Sequence, residues 1–207
     1  MNFIRTSLYS GVSTAISILV RLISNKIIAV YLGTNGIFLL GQLKDFLRLS
    51  NVFSGFGIEN GIIKYTSEFQ KSDGELRKIL STSFKVHIFF SLIFCILILI
   101  FRNTIAEYLL VDFDSTFYFL ILSISVISFS IHTLLMSIIN GIKKIKLYVT
   151  INVVSVVISA ILMITLVLKY AIIGALYALI INQIITLLVT LFLFYIYKPF
   201  NFNLLFS

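Results

Sequence analysis

The sequence predicts an all-α integral membrane protein built as a lobe of six transmembrane helices. Three observations carry that prediction. Of the 207 residues, 59% are hydrophobic and only 12% charged, and the mean hydropathy is +1.09. A soluble domain needs about a quarter of its residues charged to clothe its surface, so a bilayer is the better solvent for this chain. The apolar residues also fall into six blocks, at about 7–32, 37–63, 80–101, 116–140, 147–168 and 171–197. Each is close to the ~20 residues that cross a hydrocarbon core. Finally, the cations between the blocks are segregated to alternate sides.

The first block contains STAISILVRLISNKIIAVYLG and ends in the tight turn GTNG at 33–36. Its start, MNFIRTSLYSGVS, lacks the compact apolar core and small-residue cleavage site of a signal peptide, so the helix is expected to be retained. The second block, 37–63, is the most polar of the six. Hydropathy alone leaves it doubtful, and the charge alternation restores it. EFQKSDGELRK at 68–78 is a solvated loop, followed by the nearly unbroken third block SFKVHIFFSLIFCILILIF. RNTIAEYLLVDFD at 102–114 is a second loop. The fourth block, 116–140, ends at NGIKKIKLY, 140–148. The fifth and sixth are joined by KYAIIG, 169–174, too short for anything but an antiparallel hairpin. Pro199 closes the last helix. Residues 1–198 therefore read as one lobe.

On one side of this topology lie Arg5, Lys64, Lys71, Arg77, Lys78, Lys143, Lys144, Lys146 and Lys198, nine cations in all. The other side has two, Arg102 and Lys169, beside Glu107, Asp112 and Asp114. Nine against two places both termini in the cytoplasm.

Several function classes are excluded at this point. The net charge is +8, but the cations are scattered between apolar blocks, and with no Trp and no aromatic–basic interleaving the pattern does not fit a nucleic-acid partner. Cys95 is the single cysteine, which precludes an internal disulfide and a CxxC site. The two histidines lack metal-ligand spacing, and no nucleophile elbow, P-loop or paired-aspartate motif is present. The reading is of a protein that is not an enzyme and uses no metal or cofactor.

The first two blocks carry the informative chemistry. Ser10, Ser13, Thr14, Ser17, Arg21, Ser24 and Asn25 recur at steps of three and four, so they share one helical face. In the second block Gly41, Lys44, Arg48, Asn51, Gly55 and Glu59 repeat the design, with Asp45 beside them. A cation in mid-membrane costs about 2.5–3.5 kcal/mol on insertion scales. Lys26 and Lys44 lie nearer the helix ends, where snorkelling is an alternative. For Arg21 and Arg48 the alternative is a structural ion pair with Asp45 or Glu59. Four cations against two carboxylates leave a sum of +2, whereas structural pairing alone would come out neutral. The expectation is a hydrated cationic cavity for an anionic ligand, with Arg21, Lys26, Lys44, Arg48, Asp45 and Glu59 as its substrate-binding residues. Arginine suits phosphate because its planar fork makes bidentate contacts.

The remaining polar residues read as helix-packing groups. They are Ser123, Ser125, Ser128, Ser130 and Ser137 in the fourth block, then Asn152, Ser155 and Ser159, then Asn182, Thr186 and Thr190. His87 and His132 read as hydrogen-bonded packing residues, with a proton-coupled role as the alternative.

Taken together, STAISILVRLISNKIIAVYLGTNGIFLLGQLKDF, GFGIENGIIKY and ELRKILSTSF resemble the start of the Wzx-type flippases for lipid-linked O-antigen and enterobacterial common antigen. These form the polysaccharide branch of the MOP exporter superfamily, which also holds the MATE drug exporters. The resemblance is strongest over about residues 6–85, and Lys26, Lys44 and Lys64 fall within its motifs. It implies a two-lobed transporter of six spans per lobe. This chain would be the amino-terminal lobe, and KPFNFNLLFS would begin, from residue 199, a linker to a second lobe. The second lobe would come from further chain, another polypeptide or another copy. The implied substrate is an undecaprenyl-pyrophosphate-linked oligosaccharide, moved by alternating access from the cytoplasmic to the periplasmic leaflet of a bacterial inner membrane. Alternatives are a MATE-like small-molecule exporter and a structural or accessory membrane protein.

Overall fold

The computed structural model describes residues 3–55, 57–108 and 116–199, without the side chains of 3–8, 10 and 116. The expected loop acids Asp112 and Asp114, and the expected linker beyond Pro199, lie outside the described residues. So do the side chains of Arg5 and Ser10.

Among the described residues the chain is all helix: α1 (Phe3–Gly55), α2 (Glu59–Glu68), α3 (Asp73–Ile100), α4 (Arg102–Tyr108), α5 (Thr116–Gly141) and α6 (Ile145–Tyr197). Four of them hold stretches long and apolar enough to cross a membrane: Gly11–Gly55, Asp73–Ile100, Phe117–Gly141 and Ile145–Tyr197.

Four such stretches match six apolar blocks because α1 and α6 are each interrupted at one residue and folded back. Gly33 breaks α1 at φ 64°, ψ −169°, and Ala171 breaks α6 at φ 49°, ψ −129°. In a straight helix Ser159 and Asn182 would stand roughly 34 Å apart, at about 1.5 Å per residue. Instead their side chains are hydrogen-bonded. In α1, Ile28 and Leu40, on either side of Gly33, lie in one apolar cluster. The two turns sit together at one end of the bundle, since a Cβ on Gly36 would come within 3.6 Å of Ile172 Cδ1. Positive φ suits Gly33, which has no Cβ to clash.

The expected second block, 37–63, is not one helix. α1 stops at Gly55, the chain turns through Gly57 at φ 65°, and α2 begins at Glu59. α2 then packs so closely on α5 that a Cβ on Gly141 would lie 2.7 Å from Thr66 Cβ and 3.0 Å from the Ile63 carbonyl oxygen. α3 opens with Asp73 and Glu75, acids that complement a helix N-terminus.

Two apolar clusters fill the bundle, one above the other. Near the hairpin turns, Ile28, Leu40, Leu43 and Leu47 of α1 meet Ile98, Tyr118, Leu122, Val126, Val167 and Leu176. At the opposite end, Ile62, Leu76 and Leu80 meet Leu134, Leu135, Ile138, Ile139, Leu147, Ile151 and Phe194. Along α5 and both limbs of α6, the stretch between the clusters carries polar side chains. A polar belt therefore sits near mid-height.

The polar residues of α5 behave as the packing reading expects. Ser123 donates to the Phe119 carbonyl (2.8 Å), Ser125 to Leu122 (2.7 Å) and Ser128 to Ile124 (2.9 Å), each within its own helix. Ser130 reaches across instead. Its hydroxyl donates to the Ser54 carbonyl (3.4 Å), which leaves its oxygen to accept from Nδ1–H of the fully buried His87 (2.9 Å).

Candidate functional site: a cationic cleft at mid-height

The polar belt opens into a cleft of about 580 Å³. One wall comes from α1. Val20, Arg21, Ser24, Asn25 and Ile28 on its first limb face the same space as Lys44 and Arg48 on its second. The other wall comes from α6, with Asn152, Ser155 and Ser159 on the outgoing limb and Asn182, Gln183 and Thr186 on the returning one. Phe129 and His132 of α5 form the floor. The hairpin at Gly33 makes the cationic wall: Arg21 lies twelve residues before the turn and Lys44 eleven after it, so antiparallel limbs bring them level.

Three of the six expected binding residues converge here: Arg21, Lys44 and Arg48. The lining contains no Asp or Glu, and its three cations are offset only by Asp45, which meets Arg48 outside the lining. Among the described residues neither Arg21 nor Lys44 has a carboxylate within 4.0 Å. Arg48 does have one: its guanidinium meets Asp45 at 3.2 Å, with both side chains more than 70% exposed. A single exposed i,i+3 contact is worth well under 1 kcal/mol, so it leaves Arg48 available to a stronger acceptor. Lys44 is half-buried, while Arg21 and Arg48 are exposed at the mouth.

The other three residues stand elsewhere. Lys26 is exposed and outside the cleft, because five residues on from Arg21 carries it well round the helix. Asp45 is exposed and outside the lining, and it meets the cleft only through its contact with Arg48. Glu59 was expected on the α1 stripe, but the break before α2 removes it from that face. It lines a separate pocket of about 210 Å³ with Ile63, Thr133, Met136, Ser137, Asn140 and Tyr148. His132 and Asn152 line both cavities.

The α6 wall was legible only as two faces of packing residues. It does pack: Ser159 donates to the Ser155 carbonyl (2.5 Å) and is hydrogen-bonded to the Asn182 side-chain amide, and Thr186 donates to the Asn182 carbonyl (2.7 Å). The same residues also face the cavity, and the buried Ser155 Oγ has no protein partner among the described residues. Thr190 donates to the Thr186 carbonyl (2.8 Å) and so accepts Nδ1–H of His132 (2.8 Å). That bond fixes the imidazole between the two cavities. Gln183 and Phe129 were not anticipated. Each needs the hairpin geometry to be placed.

A cleft of this kind, cationic on one side and rich in amides and hydroxyls on the other, can hold an anionic head group with attached hydroxyl-bearing groups. Over 83 residues the chain is 30% identical to the lipid III flippase of Escherichia coli (strain K12), and equally to the lipid III flippase of Shigella flexneri. Each match takes in 40% of this chain but spans only 20% of the relative. No solved structure matches. A family model described as polysaccharide biosynthesis protein matches residues 18–207, nearly the whole chain. The chain belongs to the polysaccharide biosynthesis protein family, and its apolar helices make it an integral membrane member.

Proposed function

We propose that this chain is a six-span lobe of a transporter that carries a lipid-linked, pyrophosphate-bearing oligosaccharide across a bacterial inner membrane. The observation that carries the reading is the convergence of Arg21, Lys44 and Arg48 on one mid-height cleft without a lining carboxylate. Holding cations at that depth without a lining carboxylate is costly, and an anion arriving with the substrate offsets the cost. The pyrophosphate sits on the α1 wall, where two guanidinium groups offer bidentate contacts. Sugar hydroxyls meet the amides and hydroxyls of α6, and the polyprenyl chain stays in lipid. Membership of the polysaccharide biosynthesis family and the flippase relatives support this substrate class.

The excess of cations on the loops of one side supports a cytoplasmic position for both termini. A second six-span lobe, or another copy, faces the open side of the cleft. Rocking of the two against each other exposes the site to alternate leaflets, driven by a head group that binds the two states unequally. The sign of the cleft disfavours a cationic drug as cargo.

The test uses a complete transporter carrying this lobe. Arg21→Ala and Lys44→Ala each abolish surface-polysaccharide assembly while leaving the membrane level of the protein unchanged. Normal assembly in both variants overturns the proposal.

A further inference from the structure

Four residues of the cleft lining carry hydroxyls, and one of them behaves unlike the rest. Ser24, Ser159 and Thr186 each donate to the carbonyl four residues back in their own helix, a habit of hydroxyl side chains in helices. Ser155 does not. It is only 8% exposed, and its Oγ has no hydrogen-bond partner among the described residues. A buried hydroxyl in that state bears the full penalty of leaving water, so the site is completed by something that enters the cleft.

Two hydrogen bonds fix what stands level with it. Ser159 is joined to Asn182 across the α6 hairpin. The limbs run in opposite directions, so Ser155, four residues back, comes level with Thr186, four residues on. His132 of α5 is joined to Thr190. α5 and the returning limb of α6 run the same way, so Phe129, one turn before His132, reaches that same height. The His132 imidazole, held by Thr190, lies 6.1 Å from the Phe129 ring and backs it. An aromatic ring and a buried free hydroxyl therefore share one level of the cleft, with Asn152 and Gln183 one turn to either side.

We propose that this level seats a single pyranose ring, the sugar next to the pyrophosphate, with Phe129 as its platform and Ser155 as a specificity-determining contact. The inference rests on the lipid-linked oligosaccharide reading above. A pyranose has a face of C–H bonds and a rim of oxygens. Its slightly positive C–H groups suit the negative face of a phenyl ring, and a rim oxygen accepts the Ser155 O–H. That same negative face disfavours a phosphate, which leaves the pyrophosphate on the cationic α1 wall. The two walls thus read different parts of one substrate.

The experiment measures equilibrium binding of two probes to the purified full chain in lipid nanodiscs. One is farnesyl-pyrophosphoryl glucose. The other is the methyl ester of farnesyl pyrophosphate, equal in charge but without a sugar. Each of the two contacts contributes about fivefold in affinity, so the wild-type chain holds the glucosyl probe about 25-fold more tightly than the methyl ester. Ser155→Ala cuts that ratio to about fivefold by weakening the glucosyl probe alone, and the unfolding midpoint does not move, because the hydroxyl has no partner within the fold. Phe129→Leu, which keeps the apolar bulk and loses the aromatic face, cuts the ratio by a similar factor. A ratio that survives both substitutions overturns the proposal, and that is the result if Ser155 merely holds a water molecule. A lowered midpoint in Ser155→Ala, with both probes weakened alike, also overturns it by making the residue structural. Wild-type chain that binds both probes equally well overturns this inference alone. If it binds neither, the anion reading falls and this one falls with it.

Discussion

α1 and α5 are both apolar helices threaded with polar residues, and they use them in opposite ways. In the apolar window of α5, 61% of residues are buried, against 11% in that of α1. Ser123, Ser125 and Ser128 of α5 turn back to carbonyls of their own helix, and Ser130 joins His87 to Ser54. They are finished inside the fold. Serines of α1 do the same, Ser24 to Val20 and Ser50 to Phe46, but its charged groups are unfinished: Arg21 and Lys44 face a cleft with no lining carboxylate, and Arg48 has only an exposed contact. Periodicity reveals that a helix has a polar face. Whether the groups on it already have partners separates a packing seam from a binding wall.

The comparison is sharpened most by removing the unfinished charges. Arg21→Ala with Lys44→Ala lowers affinity for a pyrophosphate head group at least ~100-fold, equivalent to about 2.7 kcal/mol, while the thermal midpoint stays close to wild type. Equilibrium binding of an undecaprenyl-pyrophosphate analogue to the full chain measures this. A large fall in midpoint instead would make α1 structural, like α5.

On the α5 side, stability responds and binding does not. Gly141→Ala drives a methyl to 2.7 Å from Thr66 Cβ and destabilises the α2–α5 contact by about 2 kcal/mol, read as a lowered unfolding midpoint. Ser130→Ala leaves the buried His87 Nδ1–H without its acceptor and costs about 1 kcal/mol by the same measurement. Asp45→Asn releases Arg48 and raises head-group affinity about two- to three-fold, an effect that fades with added salt. Smallest is Ser123→Ala, which removes only a bond within one helix and changes stability by under about 0.5 kcal/mol.

The helical membrane class, the two tight returns and the cationic face were legible because each rests on local sequence. GTNG and KYAIIG mark the returns, and steps of three and four place Arg21 with Ser24 and Lys44 with Arg48. What failed was anything that depended on rotation about the helix or on phase across a break. Lys26 and Asp45 are close to the stripe in sequence, yet about 100° round the helix from Asn25 and Lys44 respectively. Glu59 kept the four-residue step from Gly55, but the turn through Gly57 resets the phase. The α6 wall was visible as two separate faces. Only the fold-back at Ala171, which sets Ser159 against Asn182, turns them into one surface opposite the cations.

The cleft joins segments made far apart in time. Lys44 and Arg48 leave the ribosome well over a hundred residues ahead of Asn182 and Gln183, which complete the opposite wall. At about 5–20 residues per second, the charged second limb of α1 waits on the order of ten seconds for its partner. Throughout that interval only α3 and α5 are there to cover it, through Ile98, Tyr118 and Leu122, and its cations have no polar wall opposite them. Synthesis of α6 is therefore the moment at which the amino-terminal hairpin becomes a settled resident of the bilayer.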